Sequence, residues 1–287
     1  MNTAIKVENL VKSYGNNTVI KEISFKVSTG ETFALLGING AGKTTTLECI
    51  EGLRKYDSGN INVNGSIGVQ LQLSSLPINI TALESFKLFA KWKKADFDVD
   101  LFNSLALKDL KNKKYKEMST GQKRRLHLAI ALIDNPDILF LDEPTAGLDV
   151  EGRNTLHEII NTLKSRGKTI ILASHDMAEV ESLCDRIAIL KEGSIAFMGT
   201  PRELTTQIST ESKIHVKLIQ EYKVLSLQNS SYKGIERGYH VFITSNIGEA
   251  LLELLALLKK SENIVLDIRI EHTSLEQSFM DISKECN

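Results

Sequence analysis

The chain has 287 residues, 42% hydrophobic and 25% charged, enough to bury a substantial core without disulfides. Lys and Arg number 35 against 36 Asp and Glu, a net charge of -1, which excludes whole-chain attraction to nucleic acid, so no nucleic-acid partner is expected. Cys49, Cys184 and Cys286 are far apart and show neither zinc nor redox spacing.

In chain order, Ile5 to Val7 and Thr18 to Val27 read as strands, with Gly15 to Asn17 turning between them. Glu31 to Leu36 reads as a buried strand, Gly37 to Gly42 as a glycine-rich loop, and Lys43 to about Leu53 as a helix. Ser58 to Asn64 suggests a short hairpin, and Ser66 to Leu71 another strand. From about Thr81 the pattern turns helical, with Leu83, Phe86 and Ala90 on one face and Trp92 expected to pack beside them. The run from Lys108 to Lys116 holds five lysines and reads as a solvated surface segment. A helix is expected from Ser119 to Asp134.

Ile138 to Leu141 and Thr169 to Ala173 are short apolar runs of the kind found in central parallel strands covered on both faces. Helices at Glu151 to Arg166 and Met177 to Leu183 alternate with them, which implies a largely parallel sheet. Leu204 to Ser212 is polar and reads as a junction. Beyond it, strands at Lys213 to Ile219, Tyr239 to Thr244 and Ile264 to Ile270 mix with helices at Ile247 to Lys260 and Ser274 to Ile282. The expected organisation is an α/β domain over residues 1–204, with a helical subdomain at about 81–134, and a small α+β domain over 205–287. The first twelve residues lack the apolar core of a signal peptide. No stretch reaches the roughly 18 apolar residues of a spanning helix, so a membrane role requires another chain to span.

Gly37-Ile38-Asn39-Gly40-Ala41-Gly42-Lys43-Thr44 fits the eight-position phosphate-binding loop, in the required place between an apolar strand and a helix. Its glycines permit a tight turn whose amides face phosphate oxygens, and the helix N-terminus favours the same anion. Lys43 is expected to reach the β- and γ-phosphates of ATP. Thr44 is expected to place its hydroxyl on Mg²⁺, and Thr45 stands on the α-phosphate side. Four apolar residues then lead into Asp142-Glu143. A carboxylate at that strand end can reach the metal through water, and Glu143 can serve as general base to the attacking water. His175, just past a central strand, is the candidate for gripping the γ-phosphate. The other histidines read as structural.

Together these residues resemble the nucleotide-binding domain of ATP-binding-cassette (ABC) transporters, in the family's order from about Ile5 to Pro201. Met118-Ser119-Thr120-Gly121-Gln122 resembles the signature Leu-Ser-Gly-Gly-Gln, Ala146 to Asp149 the D-loop, and His175 the switch histidine. Gln72 matches the Q-loop glutamine and Tyr14 the aromatic that stacks on adenine. The resemblance implies a P-loop NTPase fold with a helical subdomain. It implies that two such domains, here taken as a homodimer, close head to tail on ATP and Mg²⁺. Each ATP would sit between Gly37, Asn39, Gly40, Ala41, Gly42, Lys43, Thr44 and Thr45 of one copy and Ser119, Gly121 and Gln122 of the other. Glu143, His175 and Gln72 would then be catalytic, and Thr44, Gln72 and Asp142 would hold the metal. A transmembrane permease subunit would dock near residues 73–89, placing the chain peripherally on the cytoplasmic face of the membrane. Thr120 departs from the signature by adding a β-branched side chain where the family has glycine.

The ending, a strand followed by His272-Thr273-Ser274-Leu275-Glu276-Gln277-Ser278-Phe279, resembles the tail of bacterial drug, bacteriocin-resistance and ABC-2-type exporter ATPases. The function expected is therefore ATP hydrolysis coupled to efflux through a separate membrane subunit. The alternative is a soluble cassette ATPase that switches a non-membrane complex.

Overall fold

A computed structural model describes residues 2–70, 76–208, 211–219, 227–272 and 274–284. Two compact units emerge, Met1–Pro201 and Arg202–Asn287.

In the first unit, β1 (Thr3–Tyr14) and β2 (Asn17–Ser28) form a long antiparallel pair, and β3 (Thr32–Gly37) runs into α1 (Lys43–Ile50). β4 (Ser58–Val63) pairs antiparallel with β1, giving the order β2-β1-β4. The segment expected as a hairpin is thus a single strand whose partner lies some fifty residues earlier. After β5 (Ile67–Gln70) come α2 (Ala82–Trp92), α3 (Val99–Ser104) and α4 (Thr120–Ala131). The chain returns to the sheet as β6 (Ile138–Asp142), α5 (Val150–Ser165), β7 (Thr169–Ala173), α6 (Met177–Leu183), β8 (Arg186–Lys191) and β9 (Ser194–Gly199). These strands make a six-stranded sheet ordered β5-β6-β7-β3-β8-β9, parallel except for β9. All of β3 and β7, and all of β6 except Asp142, are buried, as two covered faces require. Leu47, Cys49 and Ile50 of α1 join Phe33, Leu35, Phe140 and Ile171 of this sheet and Val7, Leu10 and Ile23 of the antiparallel sheet in one core. The helix that follows the phosphate loop is therefore anchored by both sheets.

α2 starts at a capping box, Thr81 with Glu84, and buries Ala82, Ser85, Phe86 and Ala90. Trp92, expected to pack, instead lies 76% exposed. It falls one position off the buried stripe and makes an edge-to-face contact with Phe89. Within the lysine run Leu110 and Tyr115 are buried, and Tyr115 Oη is 2.9 Å from the buried His127.

α7 (Pro201–Ile208) begins at the last residue of the first unit and runs into the second, where a polar junction was expected. Proline at the first helical position suits that start. β10 (Ser212–Leu218), β11 (Ser231–Glu236), β12 (Tyr239–Thr244) and β13 (Val265–His272) form an antiparallel sheet ordered β11-β12-β10-β13. α8 (Ile247–Lys260) packs Ala250, Leu254 and Leu258 on Ile214, Val216 and Phe242, and α9 (Leu275–Lys284) follows. Among the described residues no helix is long and apolar enough to cross a membrane.

Candidate active site

The site forms at the C-terminal ends of three adjacent parallel strands, β6, β7 and β3, where an open α/β sheet gathers its loops. Gly37 ends β3 with φ +156°, and a Cβ there would stand 2.6 Å from the Leu190 carbonyl, so only glycine fits. Gly42 has φ +105° at the N-cap of α1, and Thr46 N and Oγ1 both donate to its carbonyl at 2.8 Å. Between them Ile38, Asn39 and Gly40 are exposed, while Ala41 is buried and fixes the loop to the core. Lys43 Nζ donates to the carbonyls of Gly37 (2.6 Å) and Ile38 (3.2 Å), so its ammonium lies inside the loop that its own backbone forms. Burial lowers the Lys43 pKa, with Glu143 and Asp142 pulling the other way. Thr44 is exposed and Thr45 half-buried on the first turn of α1.

Asp142 ends β6, half-buried, its pKa raised by desolvation and then by Glu143. A carboxylate held against its own charge in this way is a ready ligand for a cation. The Thr44 hydroxyl and Asp142 carboxylate are hard oxygen donors, which fits Mg²⁺, an ion that keeps several waters and takes the rest of its shell from phosphate. Among the described residues there is no denser cluster of His, Cys, Asp or Glu for a metal. Gln72, the third expected ligand and a catalytic candidate, lies outside the described residues.

Glu143 adopts φ +46°, a left-handed conformation that costs a non-glycine residue roughly 1–3 kcal/mol. Two backbone bonds hold it there: its N–H donates to Ala173 O (2.8 Å) and its carbonyl accepts from Ala146 N (3.2 Å). The turn swings the side chain toward β7, where His175 Nδ1 lies 3.0 Å from Glu143 Oε1. The candidate base and the candidate phosphate-gripping histidine, 32 residues apart in sequence, thus share a hydrogen bond.

The signature residues occupy a different recess. Ser119 caps α4: its hydroxyl accepts from Gln122 N (3.3 Å) while Gln122 Oε1 accepts from Ser119 N (3.1 Å) and Lys113 Nζ (3.0 Å). An open recess of about 440 Å³ is lined by Ser119, Gly121 and Gln122 together with Gly147 and Asp149. None of its lining comes from the phosphate loop. The phosphate loop and the signature residues thus stand at two separate places on the chain. Thr120 is the first residue of α4 and has no positive φ, so its β-branch meets no backbone obstacle. Tyr14, 43% exposed at the end of β1, has Lys12 Nζ at 5.3 Å and the Arg54 guanidinium at 5.4 Å from its ring centre.

Residues that sequence reasoning passed over complete the site from behind. Ser174 and Glu179 flank His175 and are buried. Glu51, at the end of α1, is pushed up to about 7, chiefly by burial and then by Asp142 and Glu48, and its Oε2 has no hydrogen-bond partner among the described residues. The pattern Asp176-x-x-Glu179 reads from sequence only as a helix start.

An α/β unit with a phosphate loop, a strand-end carboxylate pair and a separate signature recess defines a P-loop ATPase of the ABC class. The family model for ABC transporters matches residues 20–146. Over nearly its whole length the chain is 31% identical to the linearmycin resistance ATP-binding protein LnrL of Bacillus subtilis, covering 97% of this chain and 98% of that one. It is 37% identical to the Nod factor export ATP-binding protein I of Burkholderia orbicola, over 76% of each. The dimeric structure of a bacterial ABC transporter cassette superposes with a TM-score of 0.63 at 25% identity, covering 68% of this chain and 98% of that one. The chain belongs to the ABC transporter family and is an ATP-hydrolysing subunit of the kind that pairs with a separate membrane permease.

Proposed function

We propose that this chain is the motor of a drug- or antibiotic-resistance exporter, working as a homodimer bound peripherally to its permease on the cytoplasmic face of the membrane. The full-length similarity to a linearmycin resistance subunit supports the substrate class, and the dimeric cassette among the similar structures supports the assembly. Lys43 and the loop amides of one copy hold the phosphates. Ser119, Gly121 and Gln122 of the second copy close over the γ-phosphate with the N-terminus of α4 behind them. Thr44 and Asp142, with Gln72, would hold Mg²⁺, which would supply charge neutralisation to the phosphates. Tyr14 stacks on the adenine. Glu143 takes the proton of the attacking water, and His175 grips the γ-phosphate and fixes the Glu143 carboxylate. Residues 1–204 act as the nucleotide-binding domain and 205–287 as an accessory domain.

The observation that carries this reading is the 3.0 Å contact between Glu143, in its left-handed turn, and His175. The test is phosphate release by the purified chain with ATP and Mg²⁺. Glu143→Gln is expected to lower kcat at least about 100-fold while ATP binding persists. Retention of wild-type turnover by Glu143→Gln would remove Glu143 as the base. Purified from detergent-solubilised membranes with ATP, the same variant is expected to retain a polytopic partner. Recovery of a soluble complex alone overturns the exporter reading.

A further inference from the structure

Behind His175 lies a buried carboxylate that the proposed hydrolytic roles do not use. Glu179, on the first turn of α6, is 0% exposed. One of its oxygens accepts from Ser174 Oγ at 2.5 Å, and Ser174 Oγ in turn accepts from Asp176 N at 3.1 Å, so the hydroxyl is bonded on both sides of His175. The Thr145 hydroxyl, two residues after Glu143, stands near enough to this carboxylate to favour its charged form. Its other oxygen, Oε1, faces His157 Nε2 at 3.6 Å, and neither atom has a closer hydrogen-bond partner among the described residues. One turn earlier on α5, Arg153 Nη1 reaches Asp176 Oδ2 at 2.8 Å. Burying a carboxylate unpaired is costly, and this one is tolerated because the bonded Ser174 hydroxyl, the nearby Thr145 hydroxyl and a facing imidazole surround it.

These contacts converge on two short segments. One is the turn that carries Glu143, and the other carries His175. The residue beside His175 bonds Glu179, and the residue two after Glu143 stands close to it. We propose that Glu179 is a positioning residue for hydrolysis: its carboxylate ties the Thr145 and Ser174 hydroxyls together, and so holds the Glu143 turn against the His175 segment at hydrogen-bonding distance. Arg153 and His157 attach the same unit to α5, the helix that begins just after Gly147 and Asp149 in the signature recess. Displacement of reacting groups by about 1 Å costs on the order of 100-fold in rate, so the loss of such a tie registers in turnover before it registers in binding.

The inference rests on the roles proposed for Glu143 and His175. It is tested by steady-state ATPase kinetics on the full chain with Glu179→Gln, which keeps the volume and one acceptor, and Ser174→Ala, which removes one hydroxyl. Fluorescent-nucleotide binding and thermal unfolding are measured alongside. The expected result is a fall in kcat of about tenfold or more, with KM and nucleotide affinity within about threefold of wild type. Should Glu179→Gln lose its unfolding transition, Ser174→Ala carries the same measurement. A kcat within twofold of wild type in the folded variant overturns the inference, as does a loss that appears in KM and nucleotide affinity rather than in kcat. His175→Ala and Glu143→Gln run in parallel. If both lose turnover and the Glu179 variant does not, only this inference falls. If both keep turnover, the proposed catalytic roles fall with it.

Discussion

The two units of the chain spend their polar residues differently. In the first, charged groups sit at the ends of buried strands, and several are held uncomfortably: Asp142 and Glu51 are raised by burial, Lys43 is lowered, and Glu143 is bent into a left-handed turn. In the second, the sheet face away from α8 carries pairs that satisfy one another at the surface. His215 meets Glu271 at 2.9 Å, and Tyr239 donates to Asp267 at 2.6 Å while Arg269 reaches the same carboxylate at 2.9 Å. In the first unit strain and desolvation coincide at the groups that must be ready for a ligand, whereas the charged groups on this face of the second sheet answer one another.

The sharpest way to break this contrast is Lys43→Ala. If the first unit alone holds the chemistry, turnover falls at least about 1,000-fold, roughly 4 kcal/mol in the barrier, while thermal unfolding of the second unit is unmoved. Leu254→Ala is the converse. It empties the centre of the core that α8 forms with Ile214, Val216 and Phe242, and is expected to cost about 3 kcal/mol in that unit. ATPase kinetics should stay within about twofold; a matching loss of kcat would show that the units are not independent in function.

Glu51→Gln sharpens the contrast through pH. The folded carboxyl is raised from 4.5 to about 7, so the folded state keeps a proton that the unfolded chain releases in that window. Stability therefore falls as pH rises from about 4.5 to 7. Without nucleotide or metal, Glu51→Gln should stabilise the first unit by up to about 3 kcal/mol at pH 8 and by little near pH 4. Denaturant titrations at the two pH values decide it. The smallest effect is expected from Thr120→Gly, which restores the family glycine at a position of ordinary helical geometry. It should cost under about 1 kcal/mol of stability and change kcat by less than about threefold.

Much of the catalytic unit was legible because its chemistry is local. The phosphate loop, the apolar run into Asp142-Glu143 and the Ser119 to Gln122 cap are each contiguous, and each fixes its own backbone. What escaped depends on partners far along the chain. β4 looked like a hairpin because its pairing with β1 leaves no local trace. Trp92 looked like core because helical periodicity assigns a face only to within a residue or so. The Glu143–His175 contact needed the register of β6 against β7, Asp142 beside Ala173, before two named residues became a pair. Glu179 was hidden by a sequence pattern that cap formation alone explains.

Trp92 is also the chain's single tryptophan, standing almost fully in water on α2. An indole in water emits at long wavelength, and any surface that covers it shifts the emission to the blue. The protein thus carries an intrinsic optical reporter of one patch of the helical subdomain, with no competing signal from the nucleotide site or the second unit. Titrating a detergent-solubilised partner while watching that one emission band reads directly, without a label, whether this face is covered.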